Sequence, residues 1–197
     1  MFAHTTSPLT VRTLAFTIMM VTVLANRARA EDFERIRTES SLLSTVMKAA
    51  LVRSPTMRSL VEQIEQSDVI VYLTCEHFAS SALAGRTSLA MVRPGVRYVR
   101  VQVVCQQIDS GLIAIVAHEL QHVGEIASTA SVVDRGSLIH LYSEIGFSTH
   151  GVPQSEQFET LAALKTGDRV RWELNHYTDV EPPANAGLVA KAFAAAD

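Results

Sequence analysis

No apolar run in this chain of 197 residues reaches the roughly 20 residues that cross a bilayer comfortably. There is no basic excess either. The formal net charge is −3, which argues against a dedicated nucleic-acid binder. Six prolines and nine glycines are too few for collagen-like or low-complexity character. Cysteine is limited to two residues, but a chain of this length buries a core without disulfides. With 48% of residues hydrophobic, a largely disordered chain is excluded, and the length suits one domain.

Acidic residues are also missing from residues 1–30, which carry Arg12, Arg27 and Arg29. The uncharged stretch 14–25 (LAFTIMMVTVLA) has the length of a secretory signal's apolar core. Ala28 and Ala30 then supply small residues at the −3 and −1 positions of a cleavage site. The expectation is a cleaved signal peptide over 1–30 and a secreted or periplasmic protein; the alternatives are an uncleaved anchor or a buried helix. The mature chain has 167 residues and a formal charge of −6. Export places Cys75 and Cys105 in an oxidising compartment, where an even number of cysteines favours a disulfide over two buried thiols.

The mature part reads as α+β. Residues 31–37 look like a loose, charged start. Leu42, Leu43, Val46, Met47, Ala50 and Leu51 fall at helical spacing over 39–53. Ser54-Pro55 provides an N-cap and a first-turn proline for a second amphipathic helix through Met57, Leu60, Val61 and Ile64. Residues 68–75 (DVIVYLTC) read as a strand, and 87–92 with 97–105 as a hairpin around Arg93-Pro94-Gly95-Val96. Each cysteine ends a strand on its more apolar face, so the sulfurs meet if the two strands lie side by side and parallel. A mixed sheet of three or slightly more strands, packed on helices, is expected. Asp109 or Ser110 caps the next helix, whose run 112–117 is apolar all round and therefore buried. A short helix over 137–146, a loop at 149–153 and a last helix from Ser155 to about Asn175 follow. Glu181-Pro182-Pro183 ends regular structure, leaving 178–197 as a tail.

The buried helix contains His118-Glu119-Leu120-Gln121-His122. The histidines are four apart, so both imidazoles leave one helix face and can grip one metal ion. Glu119 sits about 100° round the helix, in reach of a water on that metal without being a ligand. This is the HExxH arrangement of zinc metallopeptidases, in which the glutamate takes a proton from the activated water. From this chain's own composition, chance supplies about 0.016 such patterns.

Catalytic zinc takes a third protein ligand and keeps one open position. The metzincin extension is absent, since residue 125 is Glu and residue 128 is Ser. Glu125 shares the histidines' face but lies a turn too far along the axis, which suits it to supporting a ligand. Glu159 is the preferred third ligand. It is expected on the last helix, on an apolar stripe with Ala163, Val170 and Leu174, where a carboxylate needs a partner. Glu156, one turn earlier, is the second choice, although near a helix start it also complements the dipole.

On these residues, His118, Glu119, His122 and the turn Glu159-Thr160-Leu161-Ala162, the chain resembles the gluzincins. The resemblance covers roughly residues 68–175. It implies a small zincin-like domain over 31–177, Zn2+ bound by the two histidines and a downstream glutamate, and hydrolysis of a peptide or protein substrate. It also implies an edge strand that holds extended substrate by main-chain pairing, and a Tyr or His that stabilises the oxyanion. Tyr142, His150, His176 and Tyr177 are all eligible for that last role. The stretch 115–146 is also similar to uncharacterised bacterial secreted proteins with a HELQH helix. The alternative reading is a non-catalytic zincin-fold protein that binds a metal or a partner, which the short chain favours by leaving little material for a specificity lobe.

Overall fold

A computed structural model describes residues 33–105, 109–148 and 157–177. The expected signal segment 1–30, the loop 149–153, the cap Ser155 and the tail 178–197 lie outside the described residues. The architecture below is that of the unit from Arg35 onward.

It is α+β, as expected. Helices α1 (Ser41–Arg53) and α2 (Pro55–Glu65) lead into strand β2 (Val69–Cys75), and a short strand β1 (Ile36–Thr38) precedes them. Strands β3 (Gly85–Arg93) and β4 (Val96–Val103) form a hairpin. Then come α3 (Ser110–Ser128), α4 (Arg135–Ile145), the short strands β5 (Phe147–Ser148) and β6 (Phe158–Glu159), and α5 (Leu161–Asn175). The sheet order is β1-β2-β4-β3, parallel except for the β3–β4 pair. β5 and β6 pair separately and antiparallel.

Period-two alternation builds one side of the core. Val69, Val71 and Leu73 of β2 and Val99, Val101 and Val103 of β4 are all buried, with Val71 opposite Val99 and Leu73 opposite Val101. Leu43, Val46 and Met47 of α1 and Met57 and Ile64 of α2 close over the core, as does α3. Ser54 caps α2 by accepting from the Met57 amide, with Pro55 in the first turn. Glu173 of α5 reaches the same helix start. It accepts from the Ser54 hydroxyl (2.5 Å), the Thr56 hydroxyl (2.7 Å) and the Thr56 amide (3.2 Å).

Because β2 and β4 are parallel neighbours, Cys75 pairs with Val103 and sits beside Cys105. The Cys75–Cys105 disulfide is formed, with Cα atoms 5.5 Å apart. The strand itself ends at Val103, so Cys105 lies two residues beyond it rather than at its end. The loose start also needs correction. Ile36–Thr38 is an edge strand whose register runs along Val71–Leu73. The amides of Arg35 and Ile36 donate to the Glu65 carboxylate, which fixes the chain's entry.

α3 is held at both ends. Asp109 caps it by accepting from the Leu112 amide (2.8 Å). At the far end, the buried Arg97 guanidinium donates to the carbonyls of Ile126 (2.7 Å), Ala127 (3.1 Å) and Thr129 (2.8 Å). The same guanidinium forms a two-pronged pair with Asp68 (2.6 and 2.9 Å). A cation at a helix C-terminus satisfies free carbonyls and opposes the dipole. Among the described residues, no helix is long and apolar enough to cross a membrane.

Candidate metal centre

Buried apolar residues bracket the HExxH segment: Val116 and Ala117 before it, Leu120 within it, Val123 and Ile126 after it. α3 is therefore wedged into the core, and His118, Glu119 and His122 line a cleft beside it. His118 and His122 stand there edge to face, with ring centroids 5.1 Å apart. α5 crosses this helix closely because residue 167 is Gly. A Cβ there would lie 3.2 Å from the Ala114 carbonyl and 3.4 Å from the His118 Cβ.

Glu159 completes the group. Its Oε2 lies 3.2 Å from His118 Nε2 and its Oε1 lies 3.4 Å from His122 Nε2. Among the described residues, His118, His122 and Glu159 are the group whose ligand atoms all lie within 4.8 Å of one another. The edge of a tetrahedron with ligands at zinc distances is about 3.3 Å, close to both Glu159–histidine separations, so this group could hold a metal ion. The same separations serve hydrogen bonds when a histidine is protonated.

Glu159 is not on a helix, contrary to expectation. Thr160 caps α5 by accepting from the Ala163 amide, so the helix starts at Leu161 and Glu159 ends β6. Ala163, Val170 and Leu174 are buried on α5, but Glu159 precedes their stripe. Glu159 is held instead by pairing with Phe147. Gly146 makes that approach possible, because a Cβ there would come within 2.7 Å of the Glu159 carbonyl. The Thr160 amide also donates to Glu159 Oε1 (2.8 Å). Glu156 lies outside the described residues.

Glu125 supports a histidine. Its Oε2 is 2.8 Å from His122 Nδ1, and its Oε1 accepts the Thr160 hydroxyl at 2.7 Å. A carboxylate only accepts, so Nδ1 carries the proton and Nε2 is left facing Glu159. Burial disfavours a charged His122, but hydrogen bonds to Glu125 and Glu159 outweigh it and push its pKa up to about 9. Burial likewise opposes the charge of Glu159. The hydrogen bonds from His118 and His122 prevail and pull its carboxyl down to about 2. The cluster thus favours positive charge between the imidazoles and the carboxylate, whether as a proton or as a cation.

Glu119 faces β3. Its Oε2 accepts the Thr87 hydroxyl at 2.6 Å, and the side chain is almost wholly buried. Burial raises its pKa, against the Thr87 hydrogen bond and the two histidines. His118, Glu119, His122 and Glu159 share one wall of a cleft of about 550 Å³. β3, an outer strand of the sheet, forms a second wall, and α4 with Phe158 forms the third. A shallower depression at the β3–β4 turn, between Asp68, Pro94 and Val133, has no such donor set.

No protein-family model, no curated protein and no solved structure matches this chain.

The four oxyanion candidates separate clearly. Tyr142 lines the cleft, stacked on Phe158 and edge-on to His122. Its hydroxyl donates to the His122 carbonyl (3.2 Å), and burial drives its pKa upward, which keeps that proton in place. His176 and Tyr177 follow α5, whose 15 residues put them about 22 Å from its start beside Glu159. There His176 stacks on Trp172 and Tyr177 lies under the Arg53 guanidinium. Neither lines the cleft. His150 lies outside the described residues. Thr87, Gly85 and Arg97 had no signal in the sequence, because each acts through a partner 29 or more residues away.

Proposed function

We propose that this chain is an exported zinc-dependent peptidase of gluzincin type. One observation carries the proposal: two histidines from an HExxH helix and a downstream glutamate converge beside a buried second glutamate, at a cleft bordered by an outer sheet strand. His118, His122 and Glu159 would hold the ion. Zinc bound by such a set supplies a Lewis acid and brings the pKa of its water to about 7. Glu119 accepts a proton from the attacking water at its carboxylate and later delivers it to the leaving amine. Burial raises its pKa, which makes its carboxylate a better proton acceptor than an exposed one.

β3 is the strand suited to hold substrate. It pairs with β4 on one side only, so its other edge offers main-chain donors and acceptors to an extended peptide. Across the cleft, Leu138, Ile139 and Phe158 are half-buried, as is Leu89 on β3. Half-buried apolar side chains around a cleft favour an apolar side chain next to the scissile bond. Export rests on residues 1–30 and belongs to the same proposal.

Glu119→Gln tests the function. The variant should keep its zinc and lose peptide hydrolysis. Hydrolysis at the wild-type rate by Glu119→Gln would overturn the assignment of the base.

A further inference from the structure

We infer that Gly85 and Thr87 of the outer strand β3 form the seat of the Glu119 carboxylate, which makes the strand that borders the cleft a positioning element for the general base. The inference rests on the proposed role of Glu119 and adds the device that aims it.

Gly85 and Thr87 are two apart on β3 and so face the same side, toward α3. Their partners on β4, Val103 and Val101, are both buried. The seat is asymmetric. Thr87 Oγ1 donates to Glu119 Oε2 at 2.6 Å and also lies 3.2 Å from the Glu119 main-chain carbonyl. The other oxygen, Oε1, occupies the space where a Cβ on residue 85 would stand. Such a Cβ would also come within 2.9 Å of both Glu119 Cγ and Cδ. One neighbour therefore supplies a hydrogen bond and the other supplies room.

A free glutamate side chain samples many rotamers, and ordering it costs entropy. Here the donor and the wall select one placement before substrate arrives, so that cost is not met during the reaction. Because the seat is built on a strand with an open edge, movement of that strand shifts the base. Thr87 is a positioning residue, since its hydroxyl acts through Glu119.

Three variants of the zinc-loaded full chain test this: Thr87→Val, Thr87→Ser and Gly85→Ala. Thr87→Val preserves shape and removes the donor, and it should keep one zinc per chain. It should lower kcat by about 10–100-fold, the scale of a misplaced catalytic group, with KM within about twofold. Thr87→Ser should recover most of kcat, and Gly85→Ala should resemble Thr87→Val. Crystal structures of zinc-loaded wild type and Thr87→Val give a readout free of turnover: the Glu119 carboxylate should leave its wild-type position in the variant. A carboxylate unmoved in Thr87→Val, or a Thr87→Ser no better than Thr87→Val, overturns the seat. The two failures are distinguishable. Full activity in Glu119→Gln defeats the proposed function, while the crystal comparison still decides the seat. An inactive Glu119→Gln beside an unaffected Thr87→Val defeats the seat alone.

Discussion

His122 Nδ1 lies 2.8 Å from Glu125 Oε2, three residues on in the same helix, and the other oxygen of that carboxylate accepts the Thr160 hydroxyl at 2.7 Å. The helix cap that starts α5 is thereby joined to the histidine that faces Glu159. Removing the carboxylate should free the His122 ring and its tautomer. Glu125→Ala should weaken zinc binding by about 10–100-fold, measured by competition with a chelator. Thr160→Val should act in the same direction and more weakly. Unchanged affinity in Glu125→Ala would leave Glu125 without a role at the centre.

The metal-free protein should lose stability as pH rises. The His122 pKa is raised in the fold to about 9 from the usual 6.5. A raised pKa contributes stability fully below the unfolded value, and that contribution disappears as pH climbs through the folded value. Tm of metal-free wild type should therefore fall between about pH 6.5 and 9. His122→Gln should abolish that part of the slope. A flat Tm profile in metal-free wild type would contradict this account of the charge balance.

Arg97 is buried and should matter for stability. Its guanidinium satisfies three carbonyls at the end of α3. Arg97→Ala removes these side-chain donors, although the Thr129 and Val132 amides still donate to the Ile126 and Thr129 carbonyls, and should cost about 1–3 kcal/mol in denaturant unfolding. Asp68→Asn should cost less, because Asp68 is substantially exposed and screened by water.

The disulfide spans 30 residues. Loop-closure entropy for that length gives about 3–4 kcal/mol of stabilisation. Cys75→Ser with Cys105→Ser should lower stability by an amount of that order. Loss of less than about 1 kcal/mol would place the effect outside the chain-entropy picture.

The parts legible in the sequence were those fixed by local spacing. The apolar run before His118, the four-residue interval to His122 and the Ser54-Pro55 cap all follow from helix geometry. The disulfide followed from period-two alternation once β2 and β4 proved to be parallel neighbours. Glu159 does lie beside both histidines, but not on the helical stripe expected of it. Its position depends on pairing with Phe147 and on the close approach at Gly146, which no helical periodicity reports. β1 was missed because three residues carry almost no pattern, and its order comes from Glu65 and from β2. The Thr87 contact to Glu119 spans 32 residues and joins a strand to a helix, so only the folded chain brings it together.

Zinc stoichiometry tests the central claim most directly. The purified wild-type chain should bind one zinc per molecule at neutral pH, measured by equilibrium dialysis and elemental analysis. His118→Ala, His122→Ala and Glu159→Ala should each lower that affinity sharply. A wild-type chain that binds no zinc, or a Glu159→Ala variant that binds it as tightly as wild type, would contradict the account.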